Sequence, residues 1–200
     1  GNILYHRGHY ESAVSLAADA ICSQKTVGDM LGLLRSHMLA CSAYLQLGQI
    51  ALAEEQCQTA AHLIEQVDDE AEHSIFYHVY ADVLRKKQDF VGAHRYAHKS
   101  LELSRQMLDR NSEANTLLLL AGNEVNWNDA EPQRRLVNEG LRYCEEGLAI
   151  CQAIGYALGR AFFLLMNGRL LTQNQETEAA CAAWLQGLKL AQTLQHQWLQ

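Results

Sequence analysis

The sequence predicts an all-α protein, an α-solenoid of five antiparallel helix pairs, and three observations lead there. The 200 residues contain a single proline, Pro132, which argues against a turn-rich sandwich or barrel. No stretch alternates apolar and polar residues with period two for long enough to make a strand. Small side chains recur at a 40-residue interval, and self-similarity at such a period marks a repeat architecture.

The repeat is anchored on Ala13, Ala53 and Ala93. Each follows a turn residue and then an aromatic or aliphatic one: Gly8 and Tyr10, Gly48 and Ile50, Gln88 and Phe90. The series continues at Gly140 and Ala180, so the spacings are 40, 40, 47 and 40. The excess falls in the fourth unit, near residues 128–134, where Pro132 stands. Seven positions after the anchors come Ala20, Ala60, Ser100, Gly147 and Gly187. A third small set, Gly1, Cys41, Ala81, Gly122 and Gly168, precedes them. Small side chains let antiparallel helices approach to the short end of an interaxial range of about 8–10 Å. Leu4, Tyr44, Leu84, Val125 and Leu171 stand ready to fill the grooves beside them.

Taken in order, the cap and breaker signals predict helices near 1–7, 10–25, 29–46, 50–67, 70–87, 90–108, 112–127, 130–153, 156–173 and 177–198. They group into units 1–28, 29–68, 69–109, 110–154 and 155–200 of a single solenoid. Asp69 with Glu72 has capping-box spacing. Asp129 is placed to cap a lengthened helix whose first turn tolerates Pro132, because that turn has no intrahelical N–H bond to lose.

Composition narrows the class. Hydrophobic residues are 48% and charged residues 20%, which excludes a disordered tail. The net charge of −7 disfavours nonspecific attraction to a nucleic-acid backbone. No apolar run approaches the roughly 20 residues that cross a bilayer, so neither nucleic acid nor membrane is an expected partner. Cys22, Cys41, Cys57, Cys144, Cys151 and Cys181 form no C-x-x-C pair and read as small buried hydrophobes in a reducing cytoplasm. The chain opens Gly1-Asn2-Ile3 rather than with Met and reads as a piece of a longer one.

The small–aromatic–small pattern resembles the tetratricopeptide repeat (TPR) over essentially the whole chain. The matching residues are the Gly, Ala or Cys of each first helix, the Gly8-x-Tyr10-x-x-Ala13 turn and the small residue seven positions on. Two features depart from the usual 34-residue unit: the length of 40 and the missing closing proline. Long TPR-like units occur in large bacterial signalling regulators, among them LuxR-type activators with an ATP-dependent switch and a helical sensor solenoid. Kinesin light chains and peptide-pheromone receptors also use them.

The resemblance implies a right-handed α-solenoid with a concave surface lined by first helices that binds a protein or peptide. Projected on this phasing, the partner-binding candidates are Arg35, His78, Asp82, Arg85, Lys86, Asn123, Asn126, Trp127, Phe162 and Arg169. Met38, Ser42, Gln46, Ile75, Thr116, Leu119, Leu165 and Gln173 share that face. Its charged members are mostly basic on an acidic chain, which points to an acidic or carboxylate-bearing partner. Asn123 and Asn126 offer both donor and acceptor to a peptide backbone, and Trp127 and Phe162 are candidate anchors. The carboxylate clamp of chaperone-binding TPR domains starts with lysine, where this chain has Met38, His78 and Leu119; this argues against chaperone-tail binding.

No catalytic, cofactor or metal residues are expected. His94 and His98 have metal-capable i, i+4 spacing, but no Glu follows the first as in H-E-x-x-H, and the pair reads as solvated or partly packed. His6 and His9 straddle a turn and read the same way. There is no phosphate loop and no nucleophile elbow. The expected function is a non-catalytic, cytoplasmic, bacterial recognition module of a larger regulator. Two alternatives stand beside it. One is a small-effector sensor solenoid of a LuxR-type, ATP-dependent transcription regulator, with a pocket near Trp127 and Phe162. The other is self-association through the C-terminal helix with Trp198 and Leu199.

Overall fold

A computed structural model describes residues 4–5, 8–132, 134 and 137–198, the last four without their side chains. The helices are α1 (Tyr10–Val27), α2 (Met30–Gln46), α3 (Ile50–Ile64), α4 (Glu70–Lys86), α5 (Phe90–Gln106), α6 (Arg110–Ala130), α7 (Val137–Ala153), α8 (Ala157–Gln173) and α9 (Thr177–Trp198). No strand occurs among the described residues. The fold is an all-α solenoid of consecutive helix pairs.

The chain divides into two compact units, Gly1–Tyr96 and Ala97–Gln200. In the first, α2 packs on α1, α3 and α4, and α3 packs on α4. In the second, α7 packs on α6 and α8, α8 packs on α9, and α6 and α8 also meet directly. First helices thus touch first helices within each unit, the adjacency that stacking of helix pairs requires.

The turns repeat as the small residues do. Gly8, Gly48, Gln88 and Gln175 all have positive φ, between 64° and 79°. Gly48, Gln88 and Gln175 each end the first helix of a pair in the left-handed conformation that closes a helix C-terminus, and Gly8 takes the same conformation ahead of α1. The following amide then bonds a carbonyl five residues back, as Gln49 does to Tyr44 (2.9 Å) and Glu176 to Leu171 (2.9 Å). Glycine takes this conformation at no steric cost at Gly8 and Gly48; Gln88 and Gln175 take it against a Cβ penalty.

The starts of first helices also repeat. Asp29, Asp69 and Asp109 cap α2, α4 and α6, accepting from Gly32 (2.9 Å), Ala71 (2.9 Å) and Asn111 (3.1 Å) amides. The capping box expected at Asp69 forms only in half. Asp69 also accepts from the Glu72 amide at 3.3 Å, but the Glu72 carboxylate turns away to Arg35. At Asp109 the Ser112 hydroxyl, with the amides of Ser112 and Asn111, holds the carboxyl below its usual range. A depressed folded-state value contributes stability above the unfolded value that is lost as pH falls. Asp109→Ala is therefore expected to cost about 1 kcal/mol at neutral pH. In urea titrations its deficit against the wild type should shrink as pH drops through the carboxylate range.

In the first unit, Leu34, Met38, Cys41 and Leu45 of α2 face Ala53, Cys57, Ala60 and Ile64 of α3, each set on one stripe of its helix. The anchors Ala13, Ala53, Ala93 and Ala180 are all buried, as are Cys41 and Ala81 of the first-helix set. Gly140, Gly147 and Gly168 do the same work in the second unit. At Gly147 a Cβ would lie 2.0 Å from Cζ of Phe163 on α8, so only hydrogen fits between α7 and α8.

The lengthened element differs from expectation. The sequence predicts a helix from 130 to 153 capped by Asp129; instead α6 runs on to Ala130 and α7 begins at Val137. Glu131, just before Pro132, leaves the helical region at φ −127°, ψ 76°. The ring of a following proline disfavours the α conformation, so Pro132 ends α6 rather than opening α7.

Four cysteines are buried, while Cys22 and Cys181 are exposed, and all six are free thiols. Burial pushes the Cys144 thiol up to about 12, which keeps it protonated and inert. No helix among the described residues is long and apolar enough to cross a membrane.

Candidate functional site

In the first unit the expected face is built by α2 and α4. Arg35 is exposed on α2, and its Nε donates to Oε1 of the buried Glu72 on α4 at 2.7 Å. Met38 belongs to the core. On α4, His78, Asp82 and Arg85 are half-buried, and Ile75 and Lys86 are exposed. Arg85 Nε donates to Asp82 Oδ1 at 3.0 Å, one turn away. Burial holds the His78 imidazole below its usual range, so it is neutral at pH 7.

In the second unit the face is built by α6 and α8. Thr116, Leu119 and Asn123 are buried, and Asn126 and Trp127 are half-buried. Trp127 is roofed by the segment after α6: the Arg134 guanidinium stands 3.6 Å from its ring centroid. The same guanidinium donates from Nη1 to Glu124 Oε2 at 2.7 Å. Glu124 is fully buried on α6. Its burial raises the carboxyl above its usual range, with Arg134 pulling the other way.

Arg169 on α8 donates to Asp129 Oδ2 at 2.7 Å, and Gln173 donates to the Val125 carbonyl at 3.0 Å. Three of the four expected cations, Arg35, Arg85 and Arg169, thus each carry a carboxylate partner. The positive charge anticipated for this face is offset locally, leaving Lys86 as its exposed lysine.

Apart from Thr172, the exposed residues of α8 are apolar. Phe162 is 44% exposed, with Leu158 at 49% and Leu165 at 46%. At positions i, i+4 and i+7 they form one stripe, which continues into Arg169 and so lies beside α6. Trp198 belongs to α9, but its side chain and all of Leu199 lie outside the described residues, as does His6.

Sequence reasoning missed two polar constellations. The first is the Glu124–Arg134 pair, whose partners come from a helix and from the linker behind it. The second lies where α5 meets α7. The His98 Nε2 is 3.0 Å from the Tyr143 hydroxyl, which donates to Glu139 Oε1 at 2.8 Å. The signal for it was present in the sequence: Glu139 and Tyr143 are themselves an i, i+4 pair, two helices after the one that carries His94 and His98. No group among these has the exposed nucleophile and adjacent base that covalent catalysis needs.

No family model matches the sequence, and no curated protein matches it. Among solved structures it is similar to the crystal structure of BtubC (BKLC) from P. vanneervenii, with a TM-score of 0.73 and 16% identity. The likeness covers 97% of this chain and 78% of that one. At that identity it establishes the shared architecture: an all-helical, repeat-like fold.

Proposed function

We propose that this chain is a non-catalytic, TPR-like recognition module of a cytoplasmic regulator, holding a protein or peptide segment against the concave faces of its first helices. The observation that carries the reading is the exposed apolar stripe Leu158, Phe162 and Leu165 on α8. A contiguous run of large apolar side chains in water is unfavourable by roughly 25 cal/mol per Å² and marks interaction surfaces. The carboxylates already paired with Arg35, Arg85 and Arg169 make attraction of an acidic partner a minor contribution. Apolar side chains of the partner, seated on the stripe, are the main one.

The test is retention of a protein from source-cell lysate on immobilised wild type, beside Phe162→Glu/Leu165→Glu and Arg85→Glu/Lys86→Glu. A band held by the wild type, lost with the first pair and only weakened by the second, is expected. Equal retention by all three would overturn the reading. Self-association has one observation in its favour, the exposure of Leu185 and Leu188 on α9. It predicts a mass in solution that rises with concentration and falls back in Leu185→Glu/Leu188→Glu.

A further inference from the structure

The His98, Tyr143 and Glu139 constellation is left unused by a recognition face. Glu139 accepts from Tyr143 (2.8 Å) and from Arg142 (3.3 Å), and both bonds fall on Oε1. The ligand atoms of His98 and Glu139 lie within 4.8 Å of each other, and along α5 those of His94 and His98 do so as well. All three residues are half-buried, shielded enough to favour a bound cation over a hydrated one and open enough to admit it.

We propose that His98 and Glu139, with His94 one turn earlier on α5, form a binding site for a divalent transition-metal ion of the zinc type. Two imidazoles and one carboxylate are a donor set for such ions, leaving a fourth position for water or an external ligand. Ligands about 2.1 Å from a tetrahedral ion sit roughly 3.4 Å apart. A spread of up to 4.8 Å closes by small rotations of three long side chains. Tyr143 is buried and orients the carboxylate through its hydrogen bond, the role outer partners play around metal ligands. Without the ion, the Tyr143 hydroxyl bridges His98 to Glu139; with it, the ion takes over that bridge and ties α5 to α7.

The experiment is titration of the chelator-treated chain with Zn²⁺ by calorimetry, with thermal unfolding recorded in parallel. One ion per chain and a rise in Tm are expected. His98→Ala, Glu139→Gln and His94→Ala should each weaken binding at least tenfold and abolish the Tm rise. Glu139→Gln retains an acceptor for Tyr143 and so keeps the fold, which circular dichroism verifies. Cys22→Ser/Cys181→Ser, which removes the two exposed thiols, should bind as the wild type does. Absence of saturable binding overturns the site. So does binding that survives Glu139→Gln or is lost with the cysteines. Full binding by His94→Ala would overturn the three-ligand assignment.

Discussion

Arg134→Met is expected to destabilise the protein by about 3–5 kcal/mol, the usual consequence of leaving one member of a buried ion pair without the other. Glu124 has no exposed surface, and its Oε2 is paired with Arg134 at 2.7 Å, while Oε1 accepts no hydrogen bond among the described residues. The loss should depend on pH in a stated direction. Burial already raises the Glu124 carboxyl above its usual range, and removing the guanidinium raises it further. A folded-state value above the unfolded one means stability that is present at low pH and lost as pH rises. The variant should therefore recover toward the wild type as pH falls into the carboxylate range. Glu124→Gln/Arg134→Met removes both charges and should cost far less than Arg134→Met alone. Urea unfolding of the three variants at two pH values measures all of this. Equal costs for the single and double variants would show that the pair is not coupled.

The second large effect is at the contact between α7 and α8. Phe163 is 1% exposed, and its ring lies over Gly147. Phe163→Ala should cost about 3–5 kcal/mol through the lost contacts and the cavity left behind. Gly147→Ala should cost about 1–3 kcal/mol through overpacking, because a methyl 2.0 Å from Cζ meets a ring that has nowhere to go. The same change at Gly168 faces the Trp184 indole, which is 38% exposed and can swing into solvent, so it should cost less. In Gly147→Ala/Phe163→Ala the new methyl fills part of the cavity, and the combined cost should fall below the sum of the singles. Thermal unfolding of the set settles it; additive costs would mean that the two residues do not share one contact.

These two sites also show what the sequence makes legible. Gly147 was visible because close packing needs a small residue and the repeat supplies one every unit, so Ala13, Cys41, Ala53, Ala81 and Ala93 could be placed by counting. The same counting finds the capping aspartates at 29, 69 and 109, although only the second stands out without the structure. The Glu124–Arg134 pair follows no period, since Arg134 lies in the insertion that breaks the repeat. Helix α6 was expected to stop at 127 because Pro132 was assigned to the next helix; the effect of proline on Glu131 decided otherwise.

For the recognition face, spacing put Phe162, Thr116, Leu119 and Asn123 on one open surface; Phe162 is exposed there, and the other three are buried. A helix buried nearly all round, as α6 is, has no single apolar stripe to read. Nor does spacing show that an arginine has a carboxylate within reach, which is how Arg35, Arg85 and Arg169 came to look like free charge.

The recognition reading is tested most directly by a photo-crosslinking amino acid placed in turn at positions 162 and 165 on α8 and at 149 and 152 on the exposed side of α7. Irradiated in source-cell lysate, the α8 positions are expected to yield one discrete adduct that the α7 positions do not. Adducts of equal yield from both helices, or none from α8, would contradict a partner seated on the first-helix face.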